Sequence, residues 1–278
     1  MKIMIRAHDL GVKGEKNIAS ELARLGIDGV QLVAYKAIDG VSYTVGSLSK
    51  ERAAEIGDTI RSVGDVALIG AYFNPVHPNE QKREHGIKMF REYLDLAPAL
   101  GCNVVGSETG SYMGDPWGFH PENSSAAALD TVVSVFGSLA DYAGERGLSI
   151  GIEGAFNHVC TTPERLGECI GRIGRDNLCV IFDLYNYLDI SNYTEAYSIL
   201  ERGLRLFGKK ILLYHIKDFT VEDGRLKQCG VGRGILDFDR ILSLIHENDP
   251  DAILVLEGTV GEDIPLAVAH LRAAIERL

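Results

Sequence analysis

No stretch of this sequence stays apolar for the roughly 20 residues that a membrane-spanning helix needs, which leaves no candidate span. The opening "MKIMIRAHDLG" meets an arginine at position 6. It lacks the apolar stretch and small-residue cleavage site of a secretory signal, so a cytoplasmic location is expected. A basic excess is missing too: 28 Lys and Arg are scattered among 39 Asp and Glu, for a net charge of −11. That balance argues against nucleic acid as a partner, and no membrane partner is expected. The five cysteines are odd in number and never spaced CxxC, so reduced thiols without disulfides are expected. No low-complexity tract or Pro/Gly linker divides the chain, so residues 1–278 read as one domain. No G-x-G-x-x-G follows an early strand, as a doubly wound dinucleotide fold would require. The late "GVGRG" at 230–234 is only a weak echo of that motif.

What the chain does have is a rhythm. Short apolar runs alternate with loops and helical patterns. The runs are "KIMIRA", "GVQLVA", "VALIGAYF", "NVVGSE", "LSIGIEG", "CVIFDLY", "ILLYHIK" and "AILVLEG", eight in all. They are continuously apolar rather than alternating, as in parallel strands buried on both faces. Six amphipathic stretches lie between or after them. One is "KNIASELARLG", with Gly26 as a C-cap. Another is "TTPERLGECIGRIG", with Thr162 as N-cap and Pro163 at the first helical position. Eight strands alternating with helices predict an α/β fold, a single (β/α)8 TIM barrel.

Such barrels carry their chemistry at the C-terminal ends of the strands. The fifth run ends at Glu153, the sixth at Asp183, the seventh at His215 and the eighth at Glu257. Any one of these alone reads as a helix N-cap or a loop residue. Four on consecutive strands, one per βα unit, converge on one point. Three carboxylates in a dry barrel mouth would repel each other into protonation unless a cation joins them. Three oxygen donors and one imidazole therefore predict one divalent metal ion. Mn²⁺ suits this set, with Mg²⁺, Co²⁺ or Zn²⁺ as alternatives. The polar ending of "LLYHIKDF" follows: His215 is a ligand, while Lys217 and Asp218 orient it or touch substrate.

The ordered set "AYFNPVHP", "GSETGSY", "IEGAFNH", "VIFDLYN", "YHIKDF", "GVGRGILDF" and "LVLEG" resembles the sugar phosphate isomerase/epimerase superfamily. These are the xylose isomerase-like barrels, which also include endonuclease IV. The likeness runs over essentially the whole chain. It implies a TIM barrel in which Glu153, Asp183, His215 and Glu257 bind one divalent ion. It implies that Glu153 and Glu257 form the acid/base pair of an isomerase or epimerase acting on a sugar, sugar phosphate or cyclitol. A proton next to a carbonyl is removed, and the metal stabilises the enediolate. Three positions depart from the family pattern. Asn186 stands where a histidine is common, Gln31 where an acid is typical, and no arginine follows His215 closely. The departures bear on the ketose 3-epimerase reading more than on the isomerase class.

Further substrate-binding candidates are His158 above the fifth strand, Glu108 at the end of the fourth, and Trp117 in the loop "GDPWGF". Asn186, Lys217 and Arg233 of "GVGRG" complete the set. His8 and Asp9 are candidates for the mouth, and His77 and His85 read as loop and helix-surface residues. An inosose-type dehydratase on the same metal site is the alternative. A non-catalytic sugar-binding barrel would not need both glutamates across a metal. An endonuclease IV-like repair enzyme would need three zinc ions and an Asp-x-His pair that "VEDGRLKQCGVGRG" lacks. A small-molecule partner is expected, with self-association left open.

Overall fold

The computed structural model describes residues 1–278. Its strands are β1 (Lys2–Arg6), β2 (Gly29–Leu32), β3 (Asp65–Gly70), β4 (Val104–Glu108), β5 (Ser149–Glu153), β6 (Leu178–Asp183), β7 (Ile211–Ile216), β8 (Asp218–Glu222), β9 (Arg225–Cys229) and β10 (Ile253–Leu256). Eight of them, β1 to β7 and β10, close into a parallel barrel in chain order, with β10 bonded to both β7 and β1. These are the eight apolar runs of the sequence. The remaining two, β8 and β9, form an antiparallel hairpin directly after β7, which apolar patterning does not announce.

A helix follows each barrel strand. Besides the single turn Ala34–Ala37, two of them, Lys50–Arg61 and Ala196–Phe207, lie outside the six stretches marked by sequence. The first buries only Ala53, Ile56, Gly57 and Ile60, too thin a stripe to stand out. The second has no side-chain cap and carries Gly203 in its interior. That glycine has a packing reason: a β carbon there would fall 2.1 Å from the Phe182 ring. The caps read from sequence are present. Gly26 is left-handed, and the Thr162 side chain accepts from the Arg165 backbone N–H. No helix is long and apolar enough to cross a membrane.

The period of two along a strand sorts its residues between the helices and the barrel axis. Met4, Leu68, Ile181, Leu213 and Val255 form an apolar cluster of their own inside the barrel, separate from the larger core under the helices. Gly106 and Gly151 make room for it. A β carbon at Gly106 would come within 2.6 Å of the Ile181 side chain, and one at Gly151 within 3.0 Å. Two residues beyond this plug, toward the C-terminal mouth, the inward positions are Arg6, Gly70, Asp183, His215 and Glu257. Gln31, Glu108 and Glu153 are the matching positions on β2, β4 and β5. A dry apolar floor thus lies directly under a polar layer.

Candidate metal centre

The four strand-end residues were expected to converge, and the register shows how. Glu108 lies beside Glu153, and Asp183 beside His215. Glu153, however, lies beside Ile181, and His215 beside Val255, so Asp183 and Glu257 each stand two residues higher. A step of two leaves every side chain pointing inward, as strand tilt in a barrel demands. The ligand atoms of Glu153, Asp183, His215 and Glu257 all lie within 4.8 Å of one another. From His215 Nδ1 the distances are 2.9 Å to Glu257 Oε2, 3.3 Å to Glu153 Oε1 and 3.6 Å to Asp183 Oδ2. All but Glu257, which is 13% exposed at its side chain, are buried.

His215 is aimed by Gln31. Its Nε2 stands 2.6 Å from Gln31 Oε1, and the Gln31 amide in turn donates to the Tyr72 hydroxyl at 2.8 Å. A glutamine oxygen can only accept, so Nε2 carries the proton. Nδ1 then faces the three carboxylates. Burial lowers the imidazole, but Glu257 and Glu153 outweigh it and raise the group well above its ordinary value, so a divalent ion would take the place of a proton at Nδ1. The Gln31 contact at Nε2 gives the ring the orientation a metal-ligating histidine needs.

Two cations surround the acids. Lys217 Nζ lies 2.7 Å from both Asp183 Oδ2 and Glu257 Oε1, and donates to Asn186 Oδ1 at 2.9 Å. Arg6 reaches Glu257 Oε1 at 2.9 Å and Asp9 Oδ2 at 2.8 Å. Counting Asp9, four carboxylates face two fixed cations. Once an ion takes the place of the His215 proton, two negative charges are left over, the charge that one divalent ion neutralises. Three carboxylates and one imidazole nitrogen, with their donor atoms all within 4.8 Å of one another, fit such an ion.

The glutamates sit in unequal fields. Burial raises the Glu153 carboxyl above the ordinary range, against a lowering by His215. Burial would raise Glu257 as well, but Lys217, His215 and Arg6 outweigh it and hold that group well below the ordinary range. Their second oxygens differ in the same sense. Glu153 Oε2 meets only the Tyr72 hydroxyl, at 3.4 Å, whereas Glu257 Oε1 is shared by two cations. Asn186 supports the first, donating to Glu153 Oε1 at 2.7 Å.

Around this centre lies a cavity of about 290 Å³. Glu108 and Trp117 are on its wall with Arg6, His8, Tyr72 and the two glutamates. Burial and then Glu153 push the Glu108 carboxyl well up, toward its neutral form. His158 is buried beside it. Its Nδ1 is 3.9 Å from Glu108 Oε2, and its ring meets Trp117 edge-on at 5.5 Å. Burial lowers His158 to about 4. Lys217 and Asn186 stand at the carboxylates, as described. Arg233 does not join them. It is exposed and bonded to Asp263 at 3.1 Å.

Asp218 corrects another expectation. It neither orients His215 nor faces the cavity acids. Its carboxylate accepts from the backbone N–H groups of Gly232, Gly234 and Leu236 at 2.8–3.2 Å. A β carbon at Gly234 would fall 2.2 Å from Asp218 Oδ1, which explains a glycine there. The "GVGRG" loop therefore wraps a buried carboxylate of its own chain. Sequence reasoning missed Arg6 and Tyr72 as site residues and saw Gln31 only as a departure. The signal for Arg6 was available, since it ends β1 by the rule that found the four ligands, whereas Gln31 is followed by Leu32 within β2. Tyr72 enters because Gly70 yields space: a β carbon at Gly70 would lie 2.7 Å from the Tyr72 ring.

The family model described as xylose isomerase-like TIM barrel matches residues 19–277. An inosose isomerase of Bacillus velezensis is 29% identical over 122 residues, 41% of this chain and 40% of that protein. The match therefore spans less than half of either. Among solved structures, a D-tagatose 3-epimerase-like protein superposes with a TM-score of 0.76 at 20% identity, over 100% of this chain and 98% of that one. The IOLI protein with a bound zinc atom gives 0.71 at 18% identity, over 100% and 96%. At such identities these structures speak for the fold. With the family model spanning nearly the whole length, the chain belongs to the xylose isomerase-like TIM barrels.

Proposed function

We propose that this protein is a divalent-metal-dependent isomerase or epimerase of a sugar or cyclitol, moving a proton at the carbon next to a carbonyl. The observation that carries the reading is the convergence of His215 Nδ1, turned inward by the Gln31 contact at Nε2, with Glu153, Asp183 and Glu257. The relatives named as inosose isomerase and 3-epimerase-like protein support the substrate class. Glu153, Asp183, His215 and Glu257 would hold the ion, which would polarise the carbonyl and stabilise the enediolate charge. Mn²⁺ is the ion we assign, and the zinc in the IOLI structure makes Zn²⁺ its nearest competitor.

The chain's own groups divide the work. Glu153 takes the proton, because its Oε2 faces only a hydroxyl and its carboxyl is raised toward the range of a useful base. Glu257 lies across the centre and would deliver a second proton, drawn from solvent, to the opposite face, while Glu153 releases the first one to solvent. Lys217 and Asn186 hold the two glutamates apart through a shared hydrogen-bonded link. Trp117 and Tyr72 wall the cavity against water.

One observation favours a lyase as second reading. Burial and then Glu153 raise the Glu108 carboxyl well above the ordinary range, and from the cavity wall it would give a proton to a leaving hydroxyl. The endonuclease reading finds no such support, because the structure assembles one cluster of metal-type ligands.

Glu153→Gln and Glu257→Gln should each lower kcat by at least about a hundredfold, the scale of a lost acid/base group. Incubation in deuterium oxide with a panel of ketoses and cyclitol ketones reads proton abstraction directly. Exchange should vanish in Glu153→Gln and persist without turnover in Glu257→Gln. Near-normal turnover in both, with metal bound, contradicts the two-glutamate mechanism. Loss of water from the substrate selects the lyase reading.

A further inference from the structure

We propose that the groove beside the reaction cavity binds a second, uncharged sugar ring, so that the substrate is a glycoside or disaccharide rather than a free monosaccharide. The proposal rests on the sugar reading of the metal centre. The cavity at the carboxylates measures about 290 Å³, the size of a small ligand site. It opens past Tyr35, Tyr72 and Trp117, which line both spaces, into a groove of about 660 Å³. One ring held at the carboxylates would leave that groove to whatever the ring carries.

The groove's chemistry identifies the occupant. Tyr43 lies 4.9 Å from the Tyr35 ring, tilted by 59°, and 5.1 Å from the His85 ring, edge-on, so three aromatic rings gather on the lining of the groove. Flat aromatic faces suit the C–H faces of a pyranose, while polar groups at the edge fix orientation. Gln81 makes no hydrogen bond in the protein, and the Asn79 side chain uses only its oxygen, to cap a helix. Both amides are free for hydroxyls. The groove's lysine is already neutralised, with Lys82 Nζ 2.5 Å from Asp115 Oδ2 and His77 on the same carboxylate at 3.3 Å. No unpaired cation waits there for a phosphate.

Trp117 is the only tryptophan in the chain and sits where the two spaces join, so its fluorescence reports on both. The wild-type protein, loaded with Mg²⁺, is titrated with glucose, glucose 6-phosphate, maltose, cellobiose and trehalose. At least one disaccharide should bind about tenfold more tightly than glucose. Tyr43→Ala and Gln81→Ala, each outside the reaction cavity, should return that disaccharide to the level of glucose and leave glucose unchanged. The proposal is overturned if no disaccharide exceeds glucose, if glucose 6-phosphate binds best, or if both variants keep the preference. Metal content is measured on the same samples. Bound metal without a disaccharide preference sinks the groove alone. Absent metal with the preference intact sinks the metal-centre reading and leaves the groove standing.

Discussion

Replacing Gln31 by Leu tests how the metal centre is aimed. The side chain is fully buried and serves both His215 Nε2, at 2.6 Å, and the Tyr72 hydroxyl, at 2.8 Å. Leucine fills similar space but can neither accept nor donate. His215 then loses the acceptor that keeps the proton on Nε2, and the proton can move to Nδ1, where the carboxylates attract it. Outer partners of metal-bound histidines are worth about 10- to 100-fold in affinity, which is about 1.4 to 2.7 kcal/mol. Each buried donor left unpaired costs about a further 1–3 kcal/mol of stability. The assay is competition against a metal-sensitive dye, with a thermal melt of the metal-free protein. We expect Mn²⁺ affinity to fall by about tenfold or more and the melting temperature to drop. Gln31→Glu, which keeps an acceptor, should recover most of the affinity. Unchanged Mn²⁺ affinity in Gln31→Leu would refute the tautomer argument.

Two more outcomes follow from the buried charges. Lys217→Met removes the cation shared by Asp183 and Glu257, so the metal-free protein should lose about 3–5 kcal/mol, the scale of a broken buried pair. Metal binding should tighten, because one positive charge has left the site; weaker metal binding in a folded variant would contradict the charge count. His158 gives a pH dependence. Its folded value of about 4 lies below the ordinary 6.5, so only the unfolded chain takes up the proton between those limits. Stability is therefore full above about pH 6.5 and declines as pH falls toward 4, by about 3 kcal/mol. Urea unfolding across that range should show the slope in wild type and a shallower one in His158→Gln. An equal slope in both proteins would assign it to other groups.

The barrel was legible because its eight strands are buried on both faces, so apolar runs mark them directly. The four clustered donors were legible for a related reason: a charged residue closing such a run has nowhere to point but the barrel mouth. Gln31 was harder to see, since it lies inside its apolar run and an amide carries no charge to flag it. Arg6 was obscured by a strand that begins at the second residue and offers little pattern. Tyr72 depends on space left by Gly70, a packing fact that no one-dimensional pattern holds. The hairpin from Asp218 to Cys229 was hidden because half of it is polar and solvent-facing. Its neighbour "GVGRG" misleads for the opposite reason. Its glycines resemble a ligand loop, yet they close on Asp218.

The central claim is one divalent ion held by Glu153, Asp183, His215 and Glu257. Elemental analysis of protein purified without chelator tests it most directly, with wild type, Asp183→Ala and Asn186→Ala side by side. The account predicts about one ion per chain in wild type and in Asn186→Ala, and none in Asp183→Ala. A wild-type chain carrying three zinc ions, or an Asp183→Ala chain that keeps its ion, would contradict it.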